Sequence, residues 1–159
     1  MLDEQNKWNA LLTVIFVLLV GLGYLSVVHV NAPHAISTLD LLLITSATFR
    51  ITRLFVYDHI TQWIRDVALD VQLVDGVIVR CKPARGLRRT FADLLGCPWC
   101  LGVWASFCLT YLYFRTVHAW FFILILAIAG LSTLLQLLAN LIGWSAEYRK
   151  IQTEQLDEQ

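Results

Sequence analysis

Long runs of apolar residues, separated by shorter polar stretches, dominate this chain. Four of the runs are about twenty residues or longer, the length an α-helix needs to cross the hydrocarbon of a bilayer. They cover residues 8–30, 36–57, 94–114 and 119–144. The pattern predicts an all-α integral membrane protein with four transmembrane helices, folded as a single membrane domain.

A polar connection at residues 58–93 lies between the second and third runs. Apolar residues recur at three- and four-residue spacing from Ile60 to Val71, which predicts an amphipathic helix lying in the membrane interface. β-Branched residues around Asp75 and Gly76 then indicate a short hairpin. Thr90 is placed to cap the start of a further helix.

Composition agrees with the membrane interpretation. Hydrophobic residues make up 58% of the chain, whereas soluble domains have about 45–50%. The formal net charge is zero, so the overall charge does not indicate a nucleic-acid partner. The first apolar run is too long, and its start too acidic, for a cleaved secretory signal, so we expect a retained span.

The distribution of basic residues predicts the orientation in the membrane. Lysine and arginine concentrate in the 58–93 connection and in the polar tail at 147–159, which we expect to fray. The short turn at 31–38 has none, and the turn after the third run has Arg115 alone. Because cytosolic loops are enriched in these residues, both termini and the connection are expected in the cytosol, with the protein in the inner membrane.

Two arginines interrupt the second run near its end. Arg50 and Arg53 are three residues apart and share a helix face, and both are close enough to the end to extend toward lipid headgroups. Asp58 is placed to pair with Arg53, and either arginine could pair with Asp58 or Asp93. Structural pairing is therefore the alternative to a ligand or partner site. The basic connection most simply binds anionic headgroups. Predicted lipid or partner contacts are Arg50, Arg53, Asp58, Arg65, Arg80, Lys82, Arg85, Arg88 and Arg89.

Cys97 and Cys100 form a Cys-x-x-Cys pair at the start of the third run. Two thiolates at this spacing can bind zinc or iron, carry out thiol–disulfide exchange or accept a lipid. A single pair is only half of a tetrahedral zinc site, so Cys81, His59 or a second subunit would have to complete it. We therefore predict Cys97, Cys100 and Cys81 as candidate zinc ligands.

Packing is the simplest alternative for the same cysteine pair. Small thiols at this position would be buried in the membrane interface beside Trp99 and Trp104. Gln136 and Asn140, the strongly polar residues of the fourth run, are four residues apart and are expected to hydrogen-bond another helix.

The sequence contains no Walker loop, no Gly-x-Ser-x-Gly and no His-Glu-x-x-His. A nucleophile–base pair and a complete metal site are therefore missing from the motifs. We predict no enzymatic activity, no catalytic residue and no resident cofactor apart from the zinc considered above. Nucleic-acid binding is not expected, because it would need more basic surface interleaved with aromatic residues.

Three ordered motifs resemble those of a known family. They are Ala47-Thr-Phe-Arg50-Ile-Thr-Arg53-Leu, then Asp58-His-Ile-Thr61 with Arg65, and then Cys97-Pro-Trp-Cys-Leu-Gly-Val-Trp104. Over roughly residues 39–115 the chain is similar to the bacterial and phage family called domain of unknown function 1360. The resemblance implies a small bacterial or phage membrane protein, sometimes labelled a sporulation protein. It implies no known reaction, so no catalytic residue can be transferred.

Three functions fit these observations. The first is a non-enzymatic membrane scaffold or accessory subunit that associates with itself or with another membrane protein. The second is a holin-like pore-forming protein. The third is a membrane thiol or metal-binding protein that uses Cys97-Pro-Trp-Cys100.

Overall fold

The computed structural model describes residues 4–29, 36–74, 77–116 and 118–157. Over these residues the chain is α-helical apart from one hairpin and a single 3-10 turn, His59–Thr61. The elements in chain order are α1 Glu4–Val28, α2 Thr38–Val56, α3 Gln62–Val67, β1 Asp70–Val74, β2 Val77–Cys81, α4 Leu87–Gly96, α5 Pro98–Arg115 and α6 Ala119–Asp157.

Helix α2 lies at the centre of the packing, against α6 and α5. The core between these three helices is made of small and aliphatic side chains, which allow close approach. Its buried members are Ile44, Ala47, Leu109, Ala119, Ile123 and Ala127. The tightest point is Gly130 of α6, where an added methyl group would overlap the carbonyl oxygen of Ser46 in α2.

Helix α1 packs on α5 through aromatic rings, and its first turns also contact α4. The ring centroids of Phe16 and Trp104 are 4.8 Å apart, and those of Phe16 and Phe107 are 5.9 Å apart. Gly23 is the buried residue of α1, and it admits the ring of Phe107. The apolar side chains of the rest of the helix face outward, as they would toward lipid.

Two of the described helices are long and apolar enough to cross a membrane: α1, and α6 over Ala119–Lys150. A third candidate span combines α4 and α5, which are bent by 88°. The described residues therefore contain two or three helices able to cross a membrane, where the apolar runs predicted four. Helix α2 has the predicted position, but it carries Asp40, Arg50 and Arg53 within 19 residues.

The predicted third span is interrupted at Cys97. Helix α4 ends at Gly96 and α5 starts at Pro98, because a proline is tolerated in the first turn of a helix but not inside one. The predicted start of the third span, at about residue 94, falls in the last turn of α4, so the span is bent at Pro98 rather than straight. Thr90 is not a cap either: α4 begins at Leu87, after Gly86 with φ of 95°, and Thr90 is buried within it.

The connection contains both predicted elements, with different bounds. Helix α3 ends at Val67 rather than at Val71, because the chain enters β1 at Asp70. The hairpin strands are confirmed as an antiparallel pair with Asp70 opposite Cys81. Some predicted features lie outside the described residues, namely the hairpin turn at 75–76, residues 31–35 of the short turn and the end of the first span at 30.

The polar tail continues α6 instead of fraying, so that prediction was wrong for residues 147–157. No glycine or proline follows Gly143, and the helix therefore has no breaker there. Gln136 and Asn140 also differ from expectation. The Nε2 of Gln136 donates to Oδ1 of Asn140 at 3.2 Å along the exposed face of α6, rather than to another helix of this chain.

Candidate functional site

Charged side chains gather around the end of α2 and the start of α5. We call residues 58–97 the charged cap; it comprises the 3-10 turn, α3, the hairpin and α4. The cap contacts α2, and through α4 it also contacts α1 and α5. It therefore contains most of the residues predicted to bind lipid, a partner or a metal.

An ion pair joins the end of α2 to the cap. The Nη2 of Arg50 lies 2.9 Å from Oδ2 of Asp58, and about a quarter of each side chain is exposed, 24% and 27%. Arg65 of α3 stabilises the same connection between α2 and the cap, because it donates to the carbonyl of Phe55 at 2.7 Å and to that of Asp58 at 3.0 Å. The hydroxyl of Thr61 also donates to the carbonyls of Leu54, near the end of α2, and of Asp58. The direction in which the chain leaves α2 is thus fixed by charge-assisted hydrogen bonds.

Arg53 has a different environment from the one expected. Of the two arginines that could pair with Asp58, the structure pairs Arg50 with it and not Arg53. The guanidinium carbon of Arg53 lies 5.0 Å from the ring centroid of Tyr57 and 5.9 Å from that of Phe49. Both distances are within the range of a cation–π contact. Its Nε is buried without a hydrogen-bond partner.

Three other predicted basic residues bind acidic side chains of the chain itself. Arg80 lies 3.0 Å from Asp66, and Arg88 lies 2.8 Å from Asp70. Arg88 also donates to the carbonyls of Val67 and Leu69, and these hydrogen bonds link α4 to the segment between α3 and β1. Arg85 is the most exposed, at 70%, and lies 3.7 Å from Glu4 of α1. Exposed pairs of this kind contribute little stability, so these side chains can exchange partners for phosphate groups at low cost.

Lys82, Arg89 and Asp93 form a triad beside the cysteine pair. The Nζ of Lys82 lies 2.7 Å from one oxygen of Asp93, and the Nε of Arg89 lies 2.9 Å from the other. Partial burial raises the pKa of Asp93, but the hydrogen bonds and charges of Lys82 and Arg89 outweigh it and hold the pKa below its usual value. Asp93 is therefore a carboxylate at neutral pH.

Cys97 caps the N-terminus of α5 with its sulfur. The backbone N–H of Cys100 donates to Sγ of Cys97 at 3.3 Å. The hydrogen bond from the Cys100 thiol, followed by the one from its backbone, lowers the pKa of Cys97. Cys97 is partly exposed and Cys100 exposed. Trp99 is 85% exposed, whereas Trp104 lines the same cavity as both cysteines.

An open cavity of about 530 Å³ reaches both thiols. One side is formed by α1, through Asn9, Leu12 and Phe16, and the other by the start of α5. Lys82 and Asp93 contribute charged groups to the same lining. The cavity thus combines two accessible sulfur atoms with an apolar wall and a charged edge.

Among the described residues, no three His, Cys, Asp or Glu side chains are grouped as they would be around a metal ion. Cys81 and His59 accordingly do not join Cys97 and Cys100 in a complete site within one chain. His59 instead hydrogen-bonds Gln62, with 3.3 Å between Nδ1 and Oε1. A four-ligand zinc site at Cys97 and Cys100 would therefore need donors from elsewhere, such as a second subunit, and the zinc site stays a prediction.

Polar residues of α1 hold the cap, and sequence reasoning missed them. The side-chain amide of Gln5 donates to the hydroxyl of Thr90 at 2.8 Å and accepts from the backbone N–H of Gly86 at 3.0 Å. Thr90 in turn donates to Asn9 at 3.0 Å. The available signal was the four-residue spacing of Gln5 and Asn9, which places both amides on one helix face.

The fold and the cap define a class: small α-helical proteins whose two or three long apolar helices are able to cross a membrane, with a charged cap at one end. Within that class, the chain belongs to the family described as Protein of unknown function (DUF1360), whose family model matches residues 43–139. This confirms the resemblance inferred from the three motifs.

Two curated relatives come from Bacillus subtilis strain 168. The chain is 31% identical over 114 residues to one named Sporulation protein YjcA, covering 66% of this chain and 94% of the relative. It is 35% identical over 107 residues to UPF0713 protein YngL, covering 64% of this chain and 78% of the relative. No solved structure matches the chain.

Proposed function

We propose that this protein is a membrane scaffold or accessory subunit of the bacterial inner membrane, and that α1, α2, α5 and α6 are its four spans. Both termini and the charged cap face the cytosol in this arrangement, as the distribution of basic residues favours. The scaffold function requires no chemical reaction, since it rests on binding another membrane protein or a second copy of the chain.

The position of α2 supports a fourth span. Its buried face packs on α5 and α6, both of which have apolar outer surfaces. The two arginines that make α2 less apolar are near its end, where Arg50 reaches Asp58 of the cap and Arg53 contacts Tyr57. A charge held there costs far less than one at the bilayer centre.

An exposed apolar row supports contact between the cap and the membrane surface. Ile60, Trp63, Val67 and Val71 are each between 68% and 76% exposed. Such a row is unfavourable in water but suits the headgroup boundary, where tryptophan is also enriched. The exposed arginines of the same cap would bind anionic headgroups beside it.

The ion pair between Arg50 and Asp58 carries the scaffold proposal. It fixes the cap on the spans at the position where a partner would contact both the cap and the spans, and it is buried enough to resist screening by salt. We place its contribution to stability at roughly 1–2 kcal/mol, between the values for exposed and buried ion pairs. The name of the relative YjcA directs the first search for partners to sporulation proteins.

Copurification from native membranes in mild detergent tests the scaffold proposal. The wild-type chain should retain a protein partner, or a second copy, in fixed ratio, whereas Arg50→Ala should lose it while still inserting into the membrane. Arg115→Ala is the matched control, because Arg115 is an exposed arginine at the end of α5, outside the charged cap and outside the predicted contact residues. Retention of the partner by Arg50→Ala, or its equal loss in both variants, would contradict the proposal.

A pore-forming, holin-like function is the second candidate. It is favoured by Gln136 and Asn140, whose hydrogen-bonded amides lie on the exposed face of α6 and would be sheltered from lipid in an assembly of several chains. Controlled expression with a membrane-potential dye separates the two candidates. A collapse of the potential supports the pore, and an intact potential at high expression excludes it.

A further inference from the structure

We propose that Cys97 and Cys100 form a thiol–disulfide exchange site, in which Cys97 attacks a substrate disulfide entering through the cavity between α1 and α5. Cys100 then resolves the mixed disulfide. This inference goes beyond the scaffold function and is independent of it.

The geometry distinguishes the two sulfur atoms. Cys97 precedes the first turn of α5, where its sulfur accepts the N–H of Cys100 at 3.3 Å and lies at the positive end of the helix. A thiolate is stabilised at that position, whereas Cys100 lies inside the first turn of the helix. The roles of attacking and resolving thiol follow from this order along the helix.

The cavity provides access as well as binding groups. Its volume of about 530 Å³ is in the range of small-molecule sites, and both thiols belong to its lining. Phe16 and Trp104, with centroids 4.8 Å apart, form an apolar wall for the carbon atoms of a disulfide. Lys82, neutralised in part by Asp93, lies at the charged edge.

The exchange has two balanced steps. The thiolate of Cys97 attacks one sulfur of the substrate, a Cys97–substrate disulfide forms, and the other substrate sulfur leaves as a thiolate. Cys100 loses its proton to water and attacks Sγ of Cys97. The Cys97–Cys100 disulfide forms and the second substrate thiolate leaves. Two electrons have passed from the chain to the substrate, and an external dithiol is needed to reduce the pair again.

Trapping of the mixed disulfide tests this order. All variants carry Cys81→Ser and Cys108→Ser, which leaves two of the four cysteines of the chain. The probe is dithiobis(nitrobenzoate) at one equivalent per chain, added to purified protein in detergent. Helicity and elution volume are measured for each variant, so that only folded protein is compared.

Three results are expected. The parent releases two equivalents of coloured thiolate and keeps no label. With Cys100→Ser, one equivalent is released and the label stays on Cys97. With Cys97→Ser, the release is about ten times slower, because the remaining thiol lacks the helix-terminal position. Equal rates for the two single variants, or a parent that retains label, would overturn the proposal.

Two further probes identify the source of the disulfide. Oxidised glutathione represents small disulfides, and a peptide closed by an internal disulfide represents protein substrates. The probe that forms the mixed disulfide faster with the Cys100→Ser variant identifies the class of substrate. If neither probe reacts faster than with Cys97→Ser, the proposal is overturned. A negative result in these exchange assays does not change the copurification result, so the exchange and scaffold proposals can be judged separately.

Discussion

Replacing Gly130 by alanine should loosen the crossing of α6 and α2. A methyl group at this position would overlap the carbonyl oxygen of Ser46, and it would lie 3.0 Å from the carbonyl carbon and 3.3 Å from Cβ of Arg50. Two of these three atoms belong to the backbone of α2, so no side-chain rotation can relieve the overlap. The two helices have to move apart, and the contacts around Ala47 and Ala127 weaken.

The magnitude follows from two opposing terms. Overpacking of a well-packed core costs about 1–3 kcal/mol, whereas alanine is favoured over glycine within a helix by about 1 kcal/mol. Gly143→Ala on the same helix reports the helix preference alone, because a methyl group there meets nothing within 4 Å, so the difference between the two variants isolates the cost of overpacking. We expect Gly143→Ala to gain stability and Gly130→Ala to lie below it by roughly 1–3 kcal/mol.

Reversible unfolding in mixed detergent micelles, followed by the helical circular dichroism signal, measures both variants. The free energies of unfolding of the wild type, Gly130→Ala and Gly143→Ala are compared under one set of conditions. Equal stability of the two alanine variants would show that α2 and α6 do not cross closely at Gly130, and the argument for the central position of α2 would fail with it.

The same unfolding measurement checks two further predictions. The folded pKa of Asp93 is below its usual value of 3.8, so the carboxylate stabilises the folded protein above that pH, and this stabilisation is lost as the pH falls through the folded pKa. Asp93→Asn should flatten the acid dependence of the free energy of unfolding. An unchanged pH profile would contradict the prediction. Gly86→Ala should cost about 1–3 kcal/mol, because φ is 95° there. Gly21→Ala, with open space around it, serves as its control, and equal effects of the two would refute the reasoning.

Local patterns in the sequence were sufficient for the helices and the hairpin. The apolar run around α2 and the β-branched residues of β1 and β2 specify elements through contacts within a few residues. The break before Pro98 follows from the proline itself, since its ring excludes the interior of a helix. The proline alone does not give the 88° angle, which depends on how α4 packs against α1 and α3.

Tertiary contacts account for most of what the sequence did not predict. Thr90 was predicted to cap a helix, but its hydroxyl accepts a hydrogen bond from Gln5 and donates one to Asn9, more than eighty residues earlier in the chain. Asp58 follows Arg53 more closely than Arg50, yet the turn after α2 directs its carboxylate to Arg50. Such choices depend on three-dimensional proximity, and neither spacing nor residue type reveals them.

Helix α6 has the proportions of a lever. At a rise of 1.5 Å per residue it is about 58 Å long, whereas bilayer hydrocarbon is about 30 Å thick. The arm from the close crossing at Gly130 to Asp157 is about 40 Å. A change of roughly 5° in the crossing angle therefore moves its far end by about 3–4 Å. Small shifts within the membrane are thereby magnified at the opposite end of the helix.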